Sequence, residues 1–148
     1  CLMLGIAQAR PGNRLGDISH AIQTHAEKHR YGVVRDFCGH GIGRHFHEPP
    51  NVLHFGRPGE GPKLRPGMFF TVEPMINVGS NRLDMWDDGW TVSTRDLQRS
   101  AQFEHTVLVT EDGFELLTLP AAGEPADVRF AGVRMGHDQP VAPVTLSD

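Results

Sequence analysis

The chain has 148 residues, 39% of them apolar, and 14 Lys+Arg against 18 Asp+Glu give it a net charge of −4. With no basic block, nucleic acid is not an expected partner, and without a run of about 18 apolar residues no membrane span is expected. Two cysteines, Cys1 and Cys38, make no disulfide framework, the length suits one domain, and no basic-then-apolar signal segment is present, so the cytoplasm is the expected location.

Residues 1–9 read as a helix that Pro11-Gly12 breaks. Asn13 is the expected N-cap of the next helix. Leu15, Ile18, Ile22 and Ala26 recur near helical spacing, which predicts an amphipathic helix over 14–29 with one buried face. His20, His25 and His29 fall on its surface. A short strand is expected at 31–34. Residues 48–67 hold five prolines and four glycines, which predicts a long irregular connection. Strands are expected at 68–77, near 90–94, at 101–110 and near 114–118. After Leu119-Pro120 the composition shifts to Ala, Gly, Pro and Val, so residues 119–148 read as a mostly unstructured tail.

Three stretches carry chemistry. Cys38-Gly39-His40-Gly41-Ile42-Gly43-Arg44-His45-Phe46-His47-Glu48-Pro49-Pro50 puts three histidines, a carboxylate and three glycines into thirteen residues. Imidazole is the commonest protein metal ligand and the usual acid or base near neutral pH. Glycines at 39, 41 and 43 let the backbone turn tightly and pass close to a ligand. Taken alone, this segment is also compatible with a surface loop rich in His and Gly. The run from Pro66 to Asn77 reads as a turn and then a strand. Glu73 sits in the middle of its apolar residues, where an ionised carboxylate is costly unless paired or bound to a metal. In the strand from Ala101 to Thr110, Glu104 shares a face with Thr106 and Leu108. Two mid-strand carboxylates and a His-rich loop are what a hard or borderline divalent cation would take as ligands.

In order, CGHGIGR-x-FHE-x-P, PGM-x-FT-x-EPM-x-N, DGWTV and SAQFEHT resemble methionine aminopeptidase of the bacterial type, over about residues 1–118. The resemblance implies an α+β architecture, the pita-bread fold of creatinases and aminopeptidases, with an antiparallel sheet flanked by helices. Residues 1–118 would be the C-terminal part of that catalytic domain, followed by the tail at 119–148. It implies His40, Glu73 and Glu104 as ligands for divalent metal ions (Co, Fe, Mn or Zn). His47 would be a non-ligand histidine that contacts the substrate around the scissile peptide and stabilises the tetrahedral intermediate. Glu73 would also move protons, and Phe46 and Trp90 would line the pocket for the methionine side chain. The implied activity is removal of the N-terminal methionine from nascent polypeptides by a metal-activated water. The nascent N-terminus is then the substrate, and the ribosome is a candidate partner of the complete enzyme. His45, His54 and His137 receive no role, and Cys38 reads as a small buried residue rather than a nucleophile.

The family's site has five protein ligands, two of them aspartates spaced Asp-x(10)-Asp upstream of the His loop. Here only Asp17 and Asp36 precede His40, and Asp17 falls on the predicted helix. Asp127 and Asp138 have that spacing but stand in a segment without the family's wording. The expectation is therefore the C-terminal portion of a longer enzyme, with at most one metal ion where the complete site takes two. Such a portion should expose apolar strand surface and be inactive, or nearly so, alone. Two other functions stay open: a non-catalytic peptide- or partner-binding module on the same fold, and a prolidase-like peptidase.

Overall fold

A computed structural model describes residues 1–120. The readings made on 121–148, including the Asp127–Asp138 spacing and nearly all of the expected tail, lie outside the described residues. Helices α1 (Leu2–Ile6) and α2 (Leu15–Lys28) come first. Leu15, Ile18, Ile22 and Ala26 are the buried stripe of α2, as their spacing predicts. The N-cap is Arg14, not Asn13. The Arg14 N–H donates to Asp17 Oδ2 at 2.7 Å, while the Asn13 amide turns back to the Gln8 carbonyl at 3.0 Å. Asp17 also accepts the Gly59 N–H at 2.8 Å, so its carboxylate is spent on the helix start and the loop beside it. Among the described residues no helix is long and apolar enough to cross a membrane.

Antiparallel strands follow: β1 (Gly32–Val33), β2 (Gly39–Gly41), β3 (Glu48–Val52), β4 (Phe69–Val72), β5 (Met75–Asn77), β6 (Leu83–Met85), β7 (Val92–Thr94), β8 (Ser100–Gln102), β9 (His105–Val109) and β10 (Phe114–Leu116). They form a five-stranded sheet in the order β10-β9-β4-β2-β3, a three-stranded sheet β1-β5-β8 and a hairpin β6-β7. Three sequence expectations change. The connection at 48–67 contains β3, whose Pro49 and Pro50 are tolerated because β3 is an edge of its sheet. The hairpin strand β6 has only three residues and carries no periodic signal. The runs 68–77 and 101–110 are each two strands, broken at Glu73-Pro74 and at Phe103-Glu104.

Those two breaks face each other. On one side Val72 pairs with His105, and on the other Met75 pairs with Gln102. The register is unchanged across the gap, so Glu73 stands opposite Glu104, and Pro74 opposite Phe103. One ladder thus passes from the five-stranded to the three-stranded sheet and opens where the two glutamates meet. Beneath it lies the core. Val52, Phe70, Val72, Val107, Val109, Phe114 and Leu116 join Ile6, Leu15, Ile18, Ile22 and Leu64 in one buried cluster, with Leu119 packed at its margin. Each of the larger side chains contributes roughly 1.5–3 kcal/mol by burial. Elsewhere the chain exposes large apolar groups: Trp86, Trp90, Leu97 and Phe103, all outside the strands, are solvent-facing.

Candidate metal centre

His40 lies on β2, which runs between β3 and β4. Its two glycine neighbours make that position accessible. A Cβ on Gly39 would strike the Thr71 carbonyl, and one on Gly41 the Pro49 carbonyl. Neither glycine has a positive φ, so close backbone approach rather than a tight turn is what demands them. The segment expected as one loop is therefore a strand followed by a loop at 42–47.

Thr71, on β4 and 1% exposed, ties the histidine to the first glutamate. The His40 N–H donates to Thr71 Oγ1 at 2.9 Å, and the Thr71 hydroxyl donates to Glu73 Oε1 at 2.7 Å. His40 Nδ1 lies 3.0 Å from the Gly41 carbonyl. A carbonyl only accepts, so Nδ1 carries the proton and Nε2 presents its lone pair. That Nε2 is 3.8 Å from Glu73 Oε1. Two ligands of one ion, each about 2.1 Å from it, lie at most about 4.2 Å apart, so this pair fits a shared cation.

Glu73 titrates above the usual carboxylate range. Burial is the main cause; the hydrogen bond from Thr71 opposes it, and the Glu104 charge raises it further. His40 and His47 act on the same carboxylate in the opposite direction. The Cys38 thiol is also pushed up, first by burial and then by Glu73, which suits an inert thiol at the edge of the site rather than a nucleophile. Glu104 itself is exposed, and its Oε2 is turned toward the Gln102 amide at 3.5 Å. Consequently, among the described residues no three His, Cys, Asp or Glu side chains are already gathered as an ion cage. The backbone brings the three sequence-predicted ligands to one place; the side chain of Glu104 is not turned inward. Still, one imidazole and two carboxylates at opposite register positions are a donor set that Mn, Fe, Co or Zn accepts.

The residues expected to meet substrate divide in two. Phe46 and His47 stand beside His40, with ring centroids 5.3 Å and 4.2 Å from its ring and 4.6 Å from each other. Trp90 lies elsewhere. It follows the turn at Asp88, whose carboxylate accepts the Trp90 and Thr91 N–H groups at 3.0 and 2.8 Å. It borders an apolar cavity of about 500 Å³ with Phe37, Met75, Leu83, Met85 and Val92. Phe46 is not among the residues lining that cavity. A second apolar cavity, about 360 Å³, opens beside Glu104 and is lined by Met3, Pro74, Ile76 and Phe103. Two residues escaped the sequence reading. Thr71 could have been found from its place two positions before Glu73, on the same side of the strand. His54, 2% exposed, carries no periodic signal at all, yet its Nε2 accepts the Glu73 N–H at 3.1 Å.

Comparison with known proteins adds the lineage. The chain is 57% identical over 119 residues to methionine aminopeptidase A of Synechocystis sp., covering 80% of this chain and 47% of that relative. The crystal structure of methionine aminopeptidase from Rickettsia prowazekii superposes with a TM-score of 0.78 at 60% identity, over 80% of this chain and 48% of that one. The chain thus spans about half the length of the curated relatives it matches. The prolidase from Pyrococcus horikoshii OT3, at 24% identity and a TM-score of 0.58, shares the fold. The α+β architecture is the pita-bread fold of these proteins, as the resemblance implies. The profile of metallopeptidase family M24 matches residues 1–111, and with His40, Glu73 and Glu104 inside that span, the chain belongs to metallopeptidase family M24.

Proposed function

We propose that this chain carries one wall of a methionine aminopeptidase site, in which His40, Glu73 and Glu104 hold a divalent cation. The observation that carries the reading is the facing pair Glu73 and Glu104 at the open step of the ladder, with His40 Nε2 3.8 Å from Glu73. Like charges placed directly opposite destabilise a sheet, and a cation between them removes that cost. When bound, such an ion would supply a more acidic water and a polarised scissile carbonyl.

The chain's own groups supply the rest of the proposed chemistry. Thr71 holds the Glu73 carboxylate by Oε1. With its affinity for protons raised by burial, Glu73 accepts a proton at a carboxylate oxygen and passes it on. His47, exposed and with its ring tilted against that of His40, donates a hydrogen bond to the oxygen of the peptide being cleaved. Phe46 packs against the peptide beside His47. The cavity that Trp90 shares with Phe37, Met75 and Met85 suits a flexible thioether. The substrate is then a polypeptide with an N-terminal methionine.

Among the described residues, no aspartate is one of the charged groups that act on Glu73. Three protein ligands hold one ion and not two, so the 148-residue chain is proposed to bind a metal and turn over slowly or not at all by itself. The test is a calorimetric titration of the chain with Mn²⁺, repeated for His40→Ala and Glu104→Gln, beside an assay for methionine released from a short peptide. The reading expects one ion per chain, lost in both variants, with release far below that of a full-length relative. An ion bound equally by all three proteins would contradict it. Tight binding of a methionine-headed peptide without any metal dependence would favour a binding module instead.

A further inference from the structure

His54 belongs to none of the motifs, yet it is the most completely buried ionisable group near the site. It lies just past β3, and its Nε2 accepts the Glu73 N–H at 3.1 Å. The reason that donor needs a side chain lies in the ladder. Backbone groups alternate in direction along it: Phe69 O accepts the Ile42 N–H and Met75 O the Val34 N–H, so Glu73, at the same parity, points its N–H away from Glu104 toward the side of β1 and β2, and neither of those strands reaches it. A buried amide without an acceptor is costly. The imidazole supplies the acceptor that neither β1 nor β2 provides there. Accepting at Nε2 also fixes the ring's proton on Nδ1.

We infer that His54 is a positioning residue for the metal centre: it clamps the Glu73 backbone at the opened ladder step and so sets where the Glu73 carboxylate points. The inference rests on the metal reading above. Glu73 is then held twice, by Thr71 at its carboxylate and by His54 at its amide, and the clamp connects the chain after β3 to the junction of β4 and β5. Groups of this kind, touching a ligand but not the ion, change metal affinity by about 10–100-fold when removed.

The test uses the full chain and two substitutions. His54→Phe keeps a buried ring without an acceptor; His54→Gln places an amide oxygen where Nε2 was. Mn²⁺ affinity should fall at least about 10-fold in the Phe variant and return to within about 3-fold of the parent in the Gln variant. Exchange of the Glu73 amide hydrogen should accelerate in the first and recover in the second. Equal affinities in all three proteins would overturn the inference, as would equal loss in both variants with folding intact by circular dichroism. A measurement on the parent stands even if the Phe variant fails to fold. In ¹⁵N-labelled protein, scalar coupling across the hydrogen bond between Glu73 N and His54 Nε2 is expected, and its absence would overturn the clamp. Parent protein that binds no His40-dependent Mn²⁺ but shows that coupling would sink the metal reading and spare the hydrogen bond.

Discussion

Phe70, Val72 and Val107, which flank the Glu73–Glu104 step, are at most 1% exposed, whereas Phe46 and Trp90 are 67% and 86% exposed. The first region sets its functional groups by a strand register that the core enforces. A slip of one residue would turn every side chain to the other face, so the positions of Glu73 and Glu104 are fixed by burial elsewhere on the same strands. The second region, comprising the 42–47 loop and the β6–β7 hairpin, sets its groups by local means: ring contacts around His40, and the Asp88 carboxylate under Trp90. The residues proposed as ion ligands thus take their positions from the buried register, and those proposed to meet substrate stand on exposed segments, which is the usual division between scaffold and binding segments.

The comparison breaks most severely if the core does not hold the register. Phe70→Ala should cost about 3–5 kcal/mol, a large share of a small domain's stability, and should abolish metal binding with it. Urea unfolding followed by a Mn²⁺ titration reads both; a variant that binds the ion normally would separate register from core. Next in size is acid. Burial lowers the His54 pKa from 6.5 to about 4. The unfolded chain therefore binds the proton more readily, and the stability tied to neutral His54 is full above pH 6.5 and is lost as pH falls toward 4. The loss is on the order of 3 kcal/mol. Unfolding midpoints measured across that window should fall with pH in the parent and be flatter by that amount in His54→Gln.

The proposed ligands were partly legible in the sequence, and the ladder was not. The residues alone pointed to a His-rich glycine segment and to Glu73 among apolar neighbours; that His40 is the histidine came with the family resemblance. The break at Glu73-Pro74 was not readable, since the run from Phe69 to Asn77 keeps the composition of a single strand; only the pairing partners reveal the opened step. β3 was masked by Pro49 and Pro50, which an edge position excuses. The cap at Arg14 was misplaced because Asn13 is the better capping residue by type, and the tertiary contact to Gln8 took its side chain. The cavity beside Trp90 has no local pattern, because Phe37 and Met75 join it from distant parts of the chain.

Two smaller effects sharpen the contrast. Glu104→Gln removes a like charge facing Glu73, so the metal-free chain should gain up to about 1 kcal/mol while Mn²⁺ affinity drops at least about 10-fold. Thermal melts with and without the ion would show the opposed signs, and a loss of stability in both conditions would count against the facing pair. Trp90→Ala should change stability by no more than about 0.5 kcal/mol and yet weaken binding of a methionine-headed peptide; an unfolded variant would place Trp90 with the scaffold instead.

The most direct measurement is an anomalous-scattering map from a crystal of this chain soaked in Mn²⁺. One peak within about 2.4 Å of His40 Nε2 and of carboxylate oxygens from both Glu73 and Glu104 is the predicted result. A peak held by other residues, or a fully soaked crystal whose Glu73 and Glu104 still point apart, would contradict the account.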